Sequence, residues 1–284
     1  MQRVVIVICD GHRDDFVRPD LCPTIARASR SGRRFRNHKG IYPSATRASV
    51  ASFATGCWPG AHGLAGNTLA LDEGDGLALY DAGHPSIFDA LRRVHGRPLR
   101  RPTTSARVVD AAGKGVASLI VSNGSPGAAR FHDPLHHGKL LNRAGSFAPG
   151  GATIETPVAI SGRGADADRA AAILFCDALL SDPRIIYAVL WLCEPDTTMH
   201  ETELGSADHH AAIAAADACV GLVVDTVAEL QERGDDVLLL VGSDHGQETV
   251  AEAIPVEQLL IDAGLKESRG SPELVVAPQG SSGH

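Results

Sequence analysis

Along the chain, short apolar runs rich in β-branched residues alternate with Ala-rich stretches whose apolar positions recur at helical spacing. This is the pattern of an α/β protein whose mainly parallel sheet is covered on both faces. Predicted strands span Arg3 to Cys9, Ala117 to Ser122, Ile185 to Leu192 and Asp236 to Val241. Predicted helices span Pro85 to Val94, stopped by Gly96, then Asp168 to Leu180, and Ala207 to Arg233, closed by Gly234. Residues 123–166 are richer in Gly, Pro, Ser and His, lack clear periodicity, and read as a loop-rich insertion over the sheet. Residues 1–284 together read as one domain.

The segments after three of the strands turn the picture from fold to chemistry. The first strand runs into Cys9-Asp10-Gly11-His12, the third into Cys193-Glu194-Pro195-Asp196, and the last into Gly242-Ser243-Asp244-His245-Gly246. Ligands of open α/β sheets bind beyond the carboxyl ends of the strands, so three acidic strand ends point to one site. Asp196 and His200 stand four apart, a spacing that puts both on one helical face. Gly242 and Gly246 would let the chain turn so that Asp244 and His245 face the same way. Three carboxylates in one crevice repel strongly, and divalent cations remove that penalty. Mixed Asp and His ligation suits zinc, with manganese or magnesium less favoured by the imidazoles.

Composition narrows the partners. Apolar residues make up 44% of the chain and charged residues 21%, ordinary for a folded soluble protein. The 34 acidic side chains outnumber the 26 basic ones and leave a net charge of −8, with no basic footprint for nucleic acid. The six cysteines are scattered without a C-x-x-C pair, which implies free thiols in a reducing compartment. The opening apolar run, Val4 to Ile8, has five residues, too few for a signal peptide or a membrane span. A cytoplasmic protein is the expectation, and no heptad or apolar stripe announces an oligomer.

A nucleophile candidate lies in Tyr42-Pro43-Ser44-Ala45-Thr46-Arg47, with Thr46 where a helix N-cap is expected and a helix running from Arg47 to a stop at Gly56. A hydroxyl there sits beside backbone N–H groups ready to hold an anion. Read on its own residues, without the metal ligands, Thr46 caps the helix and does nothing more.

The run Y-P-S-A-T-R-A-S-V-A-S-F-A-T-G-C-W-P-G-A-H-G-L-A-G-N from Tyr42 to Asn67 resembles the nucleophile region of the alkaline phosphatase superfamily. More narrowly, it resembles the type I phosphodiesterase/nucleotide pyrophosphatase branch and its phosphonoacetate hydrolase relatives. The apolar strand ending in Asp10, the P-x-x-T turn, T-G-x-x-P-x-x-H-G, Asn67, E-P-D-x-x-x-H and S-D-H-G occur here in that family's order, across residues 4–246. The resemblance implies a three-layer sandwich of the alkaline phosphatase type, with a mainly parallel central sheet and helices on both faces. It implies two zinc ions, one held by Asp10, Thr46, Asp244 and His245, the other by Asp196, His200 and a further histidine. It also implies that Thr46 is the nucleophile, forming a phosphothreonine that water then clears, and that Asn67 donates to a phosphoryl oxygen. His62 is assigned a structural role in the turn before Asn67.

The implied substrate is a small phosphodiester or nucleotide, with phosphonate C–P cleavage as the alternative within the superfamily. A sulfatase C-x-P-x-R, a G-x-S-x-G elbow and a P-loop are all absent. Family members take the last zinc ligand from a later His-Gly element, whereas 39 residues come after His245 here. The C-terminal part is therefore expected to be incomplete, with His284 as the one remaining histidine for that position. An inactive metal-binding relative lacking the last ligand is the third reading.

Overall fold

The computed structural model describes residues 1–74, 76–113, 115–271, 275–279 and 282–283. Its elements run along the chain as β1 (Gln2–Cys9), α1 (Pro23–Ser31), α2 (Thr46–Thr55), α3 (Pro59–His62), β2 (Thr68–Asp72), β3 (Leu77–Asp81), α4 (Ile87–His95) and α5 (Thr104–Ala112). Then come β4 (Ala117–Ser122), α6 (Pro126–Phe131), β5 (Lys139–Asn142), β6 (Ser146–Phe147), β7 (Thr153–Ile154), α7 (Ala165–Ser181), β8 (Ile185–Leu192), α8 (Asp196–Met199), α9 (Ala207–Glu232), β9 (Asp236–Gly242) and α10 (Val256–Asp262). The four predicted strands and three predicted helices are all present, with ends displaced by three residues or fewer.

Among the described residues the central sheet has seven strands in the order β7-β6-β5-β4-β8-β1-β9. From β5 to β9 the pairing is parallel. Strands β6 and β7 turn antiparallel at the far edge. Residues 123–166 therefore do not simply lie over the sheet as a loop, because they carry α6 and extend the sheet by β5, β6 and β7. Strands of two to four residues are too short to write a period of two into the sequence, which is why they read as loop.

Side chains of β1 alternate between two cores. Val5, Val7 and Cys9 join Phe175 of α7 and Val220 and Val223 of α9. Ile6 and Ile8 join Val50 of α2, Phe88 of α4, Phe131 of α6 and Trp191 of β8. A strand buried on both faces reads as a continuous apolar run, as β1 does. Helix α9, with 26 residues, is long and apolar enough to cross a membrane by composition alone, but half of its apolar window is buried inside this protein. Its Ala216, Val220 and Val223 are core residues.

Register then aligns the strand ends. Ile8 of β1 pairs with Trp191 of β8 and with Gly242 of β9, so the segments after all three leave the sheet at one level. Replacing Phe175, fully buried between α7 and the sheet, by Ala is expected to cost about 3–5 kcal/mol. Chemical denaturation reads this as a lower midpoint at unchanged slope, and a loss below 1 kcal/mol, roughly one methylene's worth, would mean the site can collapse onto the gap.

Candidate active site

Asp10 is the first residue beyond β1 and is tied to the neighbouring strand end on both sides. Its N–H donates to the Leu192 carbonyl at 3.4 Å, and its carbonyl accepts from the Asp196 N–H at 3.0 Å. Its Oδ2 accepts from the Trp191 indole at 3.0 Å. Gly11 then turns the chain with φ +72°, and a Cβ there would stand 2.9 Å from Met199 Cε and 3.2 Å from Asp196 Cβ. Only glycine serves at this position, both for its left-handed backbone and for the close approach of the Asp196 segment. The Gly11 N–H in turn donates to Asp244 Oδ1 at 3.2 Å.

Asp244 and His245 come after β9. Their side chains face the same way, as the flanking glycines allow, although neither Gly242 nor Gly246 has positive φ. Gly242 ends the strand, and Gly246 is small because a Cβ would meet Arg13 Cγ at 2.8 Å. His245 Nδ1 faces the Gly246 carbonyl at 3.1 Å, which places the ring proton on Nδ1 and aims Nε2 into the site. That Nε2 lies 3.3 Å from Asp10 Oδ1, 3.3 Å from Asp244 Oδ2 and 2.9 Å from Thr46 Oγ1.

Thr46 is not the N-cap. Ala45 occupies that position in extended conformation, and Thr46 is the first residue of α2, with Gly56 closing the helix in left-handed conformation. The hydroxyl therefore does not cap its own helix and instead meets His245. Capping is supplied from outside: Asn67 Oδ1 accepts the Arg47 N–H at 3.1 Å. This bond fixes the Asn67 amide beside Thr46, and the Asn67 carbonyl takes the Ala82 N–H at the base of the β2–β3 hairpin.

His62 is fully buried, with Nδ1 accepting from the Leu64 N–H at 3.2 Å and Nε2 at 2.8 Å from Ser52 Oγ. Burial lowers its pKa to about 4, so it is a neutral brace for the turn leading to Asn67.

Asp196 opens α8, and its Oδ2 lies 3.3 Å from His200 Nε2. Its other oxygen accepts from the Gln247 amide. The segment is held from beneath by Asp168 of α7, which the sequence pattern did not single out. The buried Asp168 carboxylate accepts the N–H groups of Cys193 and Glu194, each at 2.9 Å, and Asn123 Nδ2 at 2.9 Å. Asp168, Gln247 and Trp191 escape sequence reasoning because their partners come from distant segments. Nothing local singles out Asp168, because Asp166 and Asp177 stand on the same Ala-rich helix.

These groups line one cleft of about 1180 Å³ that also contains Arg47, Arg143 and Arg163. Thr46, Asn67, Asp10, Asp196, His200 and His245 all face it, and Asp244 sits immediately beneath, at 2% side-chain exposure. His284 lies outside the described residues.

The sequence matches the model of the family described as "Type I phosphodiesterase / nucleotide pyrophosphatase" over residues 4–282. The chain belongs to this family. None of the curated proteins compared with the sequence matches it significantly. Among solved structures, the fold is similar to murine ectonucleotide pyrophosphatase/phosphodiesterase 5, inactive and in complex with AMP, at TM-score 0.62 and 17% identity over 89% of this chain and 59% of that one. It is similar also to phosphonoacetate hydrolase from Sinorhizobium meliloti in complex with phosphonoformate, at TM-score 0.63 and 19% identity over 92% of this chain and 62% of that one. The chain thus spans about three fifths of the length of these relatives. The architecture shared by this phosphodiesterase family member and its neighbours is the alkaline-phosphatase-like α/β fold.

In the family member described here, the site has the electrostatics of a cation pocket. Burial, then Asp244 and Asp196, push the Asp10 carboxyl well above its usual range. Burial likewise raises Asp244, against the opposing pull of His245 and the Gly11 N–H. Burial also acts to raise Asp196, but His200 and His245 outweigh it and hold Asp196 low. Hydrogen bonding to Asp196 raises His200 in turn. Asp10 Oδ1 and Asp244 Oδ2 are buried and accept no hydrogen bond. With His245 they form a group whose ligand atoms all lie within 4.8 Å of one another. Orphaned buried oxygens facing an imidazole are what a divalent cation satisfies, so these residues fit a metal ion.

A carboxyl raised above its unfolded value, about 3.9 for Asp, favours the folded state only while protonated. Chelator-treated protein is therefore expected to lose stability as pH climbs from about 4 through the raised Asp10 and Asp244 values. Asp10→Asn should flatten that decline, raise Tm at pH 8 and abolish the gain in Tm on adding zinc. A Tm of the chelated wild type that stays level from pH 5 to 8 would count against this account.

Proposed function

We propose that the chain is a two-zinc hydrolase that cleaves phosphodiester or nucleotide pyrophosphate bonds with Thr46 as nucleophile. One observation carries the reading: Thr46 Oγ1 stands 2.9 Å from His245 Nε2, which is itself 3.3 Å from oxygens of both Asp10 and Asp244. A threonine hydroxyl released from capping and aimed at a carboxylate–imidazole cluster is placed for chemistry rather than for helix stability.

Asp10, Asp244, His245 and Thr46 would hold one metal, and Asp196 and His200 a second. Zinc, when bound, lowers the pKa of a nearby hydroxyl and stabilises charge on phosphoryl oxygens. The chain's own groups supply the rest. Thr46 Oγ1 forms a bond to phosphorus as the ester oxygen leaves, giving a phosphothreonine that water hydrolyses. The N-terminus of α2 lies beside the bound anion, and Asn67, oriented by its bond to the Arg47 N–H, donates to a phosphoryl oxygen. Trp191 and Asp168 keep Asp10 and the Asp196 segment in place. The free cysteines, five of them buried, are consistent with action in a reducing, cytoplasmic setting on small molecules.

A second reading, phosphonate C–P cleavage, is supported by similarity to the phosphonoacetate hydrolase fold at the same level as to the pyrophosphatase fold. Assay of the zinc-loaded protein on aryl phosphodiesters, nucleotides, phosphomonoesters and phosphonates separates the two. Thr46→Ala is expected to reduce turnover of the preferred substrate by at least about 10³-fold, with metal content and unfolding midpoint unchanged. Full activity in Thr46→Ala would sink the assignment. Metal analysis should give two zinc ions per chain, and one or none would favour an inactive relative.

A further inference from the structure

Three guanidinium groups enter the cleft from separate elements: Arg47 from the first turn of α2, Arg143 from the turn after β5, and Arg163 from just before α7. Among the described residues none of them forms an ion pair or a side-chain hydrogen bond, although the cleft also contains Glu201, Glu203 and Glu248. Glu248 is engaged by Arg13 instead. The Nε atoms of Arg47 and Arg143 are buried with no acceptor. Desolvation and the facing charge of Arg163 depress the Arg143 pKa, and the charges of Arg47 and Arg163 both act on His200. The three cations thus converge beside the reacting centre. In a chain of net charge −8, the half-buried Arg47 and Arg143, whose buried Nε atoms have no acceptor, are costly unless a ligand supplies the anion, and the exposed Arg163 adds its charge to the same cleft.

A single phosphoryl group does not use all of them. Arg47 adjoins Thr46 and lies nearest the reacting phosphorus by position in the chain, whereas Arg143 and Arg163 come from the β5–α7 side, against Cys193 and the N-terminus of α7. Among the described residues lining the cleft there is no Phe, Tyr or Trp to offer a broad stacking face for a base, and the two imidazoles, His200 and His245, face carboxylates. We propose that Arg143 and Arg163 form a second anion site, so that the substrate is a small molecule carrying, besides the reacting phosphoryl group, a second anionic group, a carboxylate or a phosphate. Guanidinium forks bind both of these planar or multi-oxygen anions in charge-assisted pairs. This inference rests on the phosphoryl-transfer reading above and narrows its substrate class.

Calorimetric titration of the zinc-loaded protein tests it without requiring turnover. The probes are methyl phosphate, 2-phosphoglycolate for the carboxylate arm and methylene diphosphonate for the phosphate arm. At least one doubly anionic probe should bind roughly tenfold or more tightly than methyl phosphate, and R143Q and R163Q should bring that ratio towards one. Arg143→Lys should retain an intermediate ratio. Comparing ratios between wild type and variants removes any contribution from direct chelation of zinc. Because Arg163 is exposed, R163Q keeps the test valid if R143Q fails to fold. A wild-type ratio near one, or a ratio unchanged in folded R163Q, overturns the second anion site. Absence of turnover on every phosphorus ester, with the ratio and its loss intact, overturns the hydrolase reading and leaves the anion site standing.

Discussion

Mutual repulsion among Asp10, Asp196 and Asp244 is the constraint around which the rest of the structure is arranged. The three acids are delivered to one place by the parallel register of β8, β1 and β9, which sets their ends level. Each has a dedicated restraint. Asp10 is held by the Trp191 indole, Asp244 by the Gly11 N–H, and the Asp196 segment by Asp168 below it and Gln247 above. Without these bonds the carboxylates would splay towards solvent, where like charges are screened. The left-handed Gly11 is part of the same solution, because it lets the Asp196 segment close over Asp10.

The chemistry arises from the groups left unsatisfied once those restraints are made. One oxygen of Asp10 and one of Asp244 still lack hydrogen bonds, and the unprotonated Nε2 of His245 faces both at 3.3 Å. Thr46 meets the same nitrogen because α2 starts one residue earlier than capping preference suggests and leaves its hydroxyl uncommitted. The positive wall of the cleft, Arg47, Arg143 and Arg163, stands against this acidic floor. An acidic protein thereby presents a cleft with separate places for cations and for an anion.

Much of this was legible in the sequence because strand ends are local. An apolar run leading into Asp10, Asp196 or Asp244-His245 announces both the strand and the acidic group at its end. Thr46, Asn67 and His62 were singled out only through the resemblance of the Tyr42 to Asn67 run to the family's nucleophile region. The N-cap assignment of Thr46 failed because the cap preference of threonine is weaker than the tertiary contact with His245. Asp168, Trp191 and Gln247 were invisible because each acts through partners far along the chain, and the short strands β5 to β7 carry too few residues to leave a period.

The position of β1 in the sheet bears on the life of the chain before it is folded. Strand β1 is flanked by β8 and β9, whose residues come roughly 180 and 230 positions later. Chains emerge N-terminus first, so Asp10 and Thr46 leave the ribosome long before Asp196, Asp244 and His245 exist to join them. A partial set of acids is a poor trap for a divalent cation, and the cluster of Asp10, Asp244 and His245 can form only once β9 and the segment after it have been synthesised. Assembly of the binding set and completion of the sheet are the same late event.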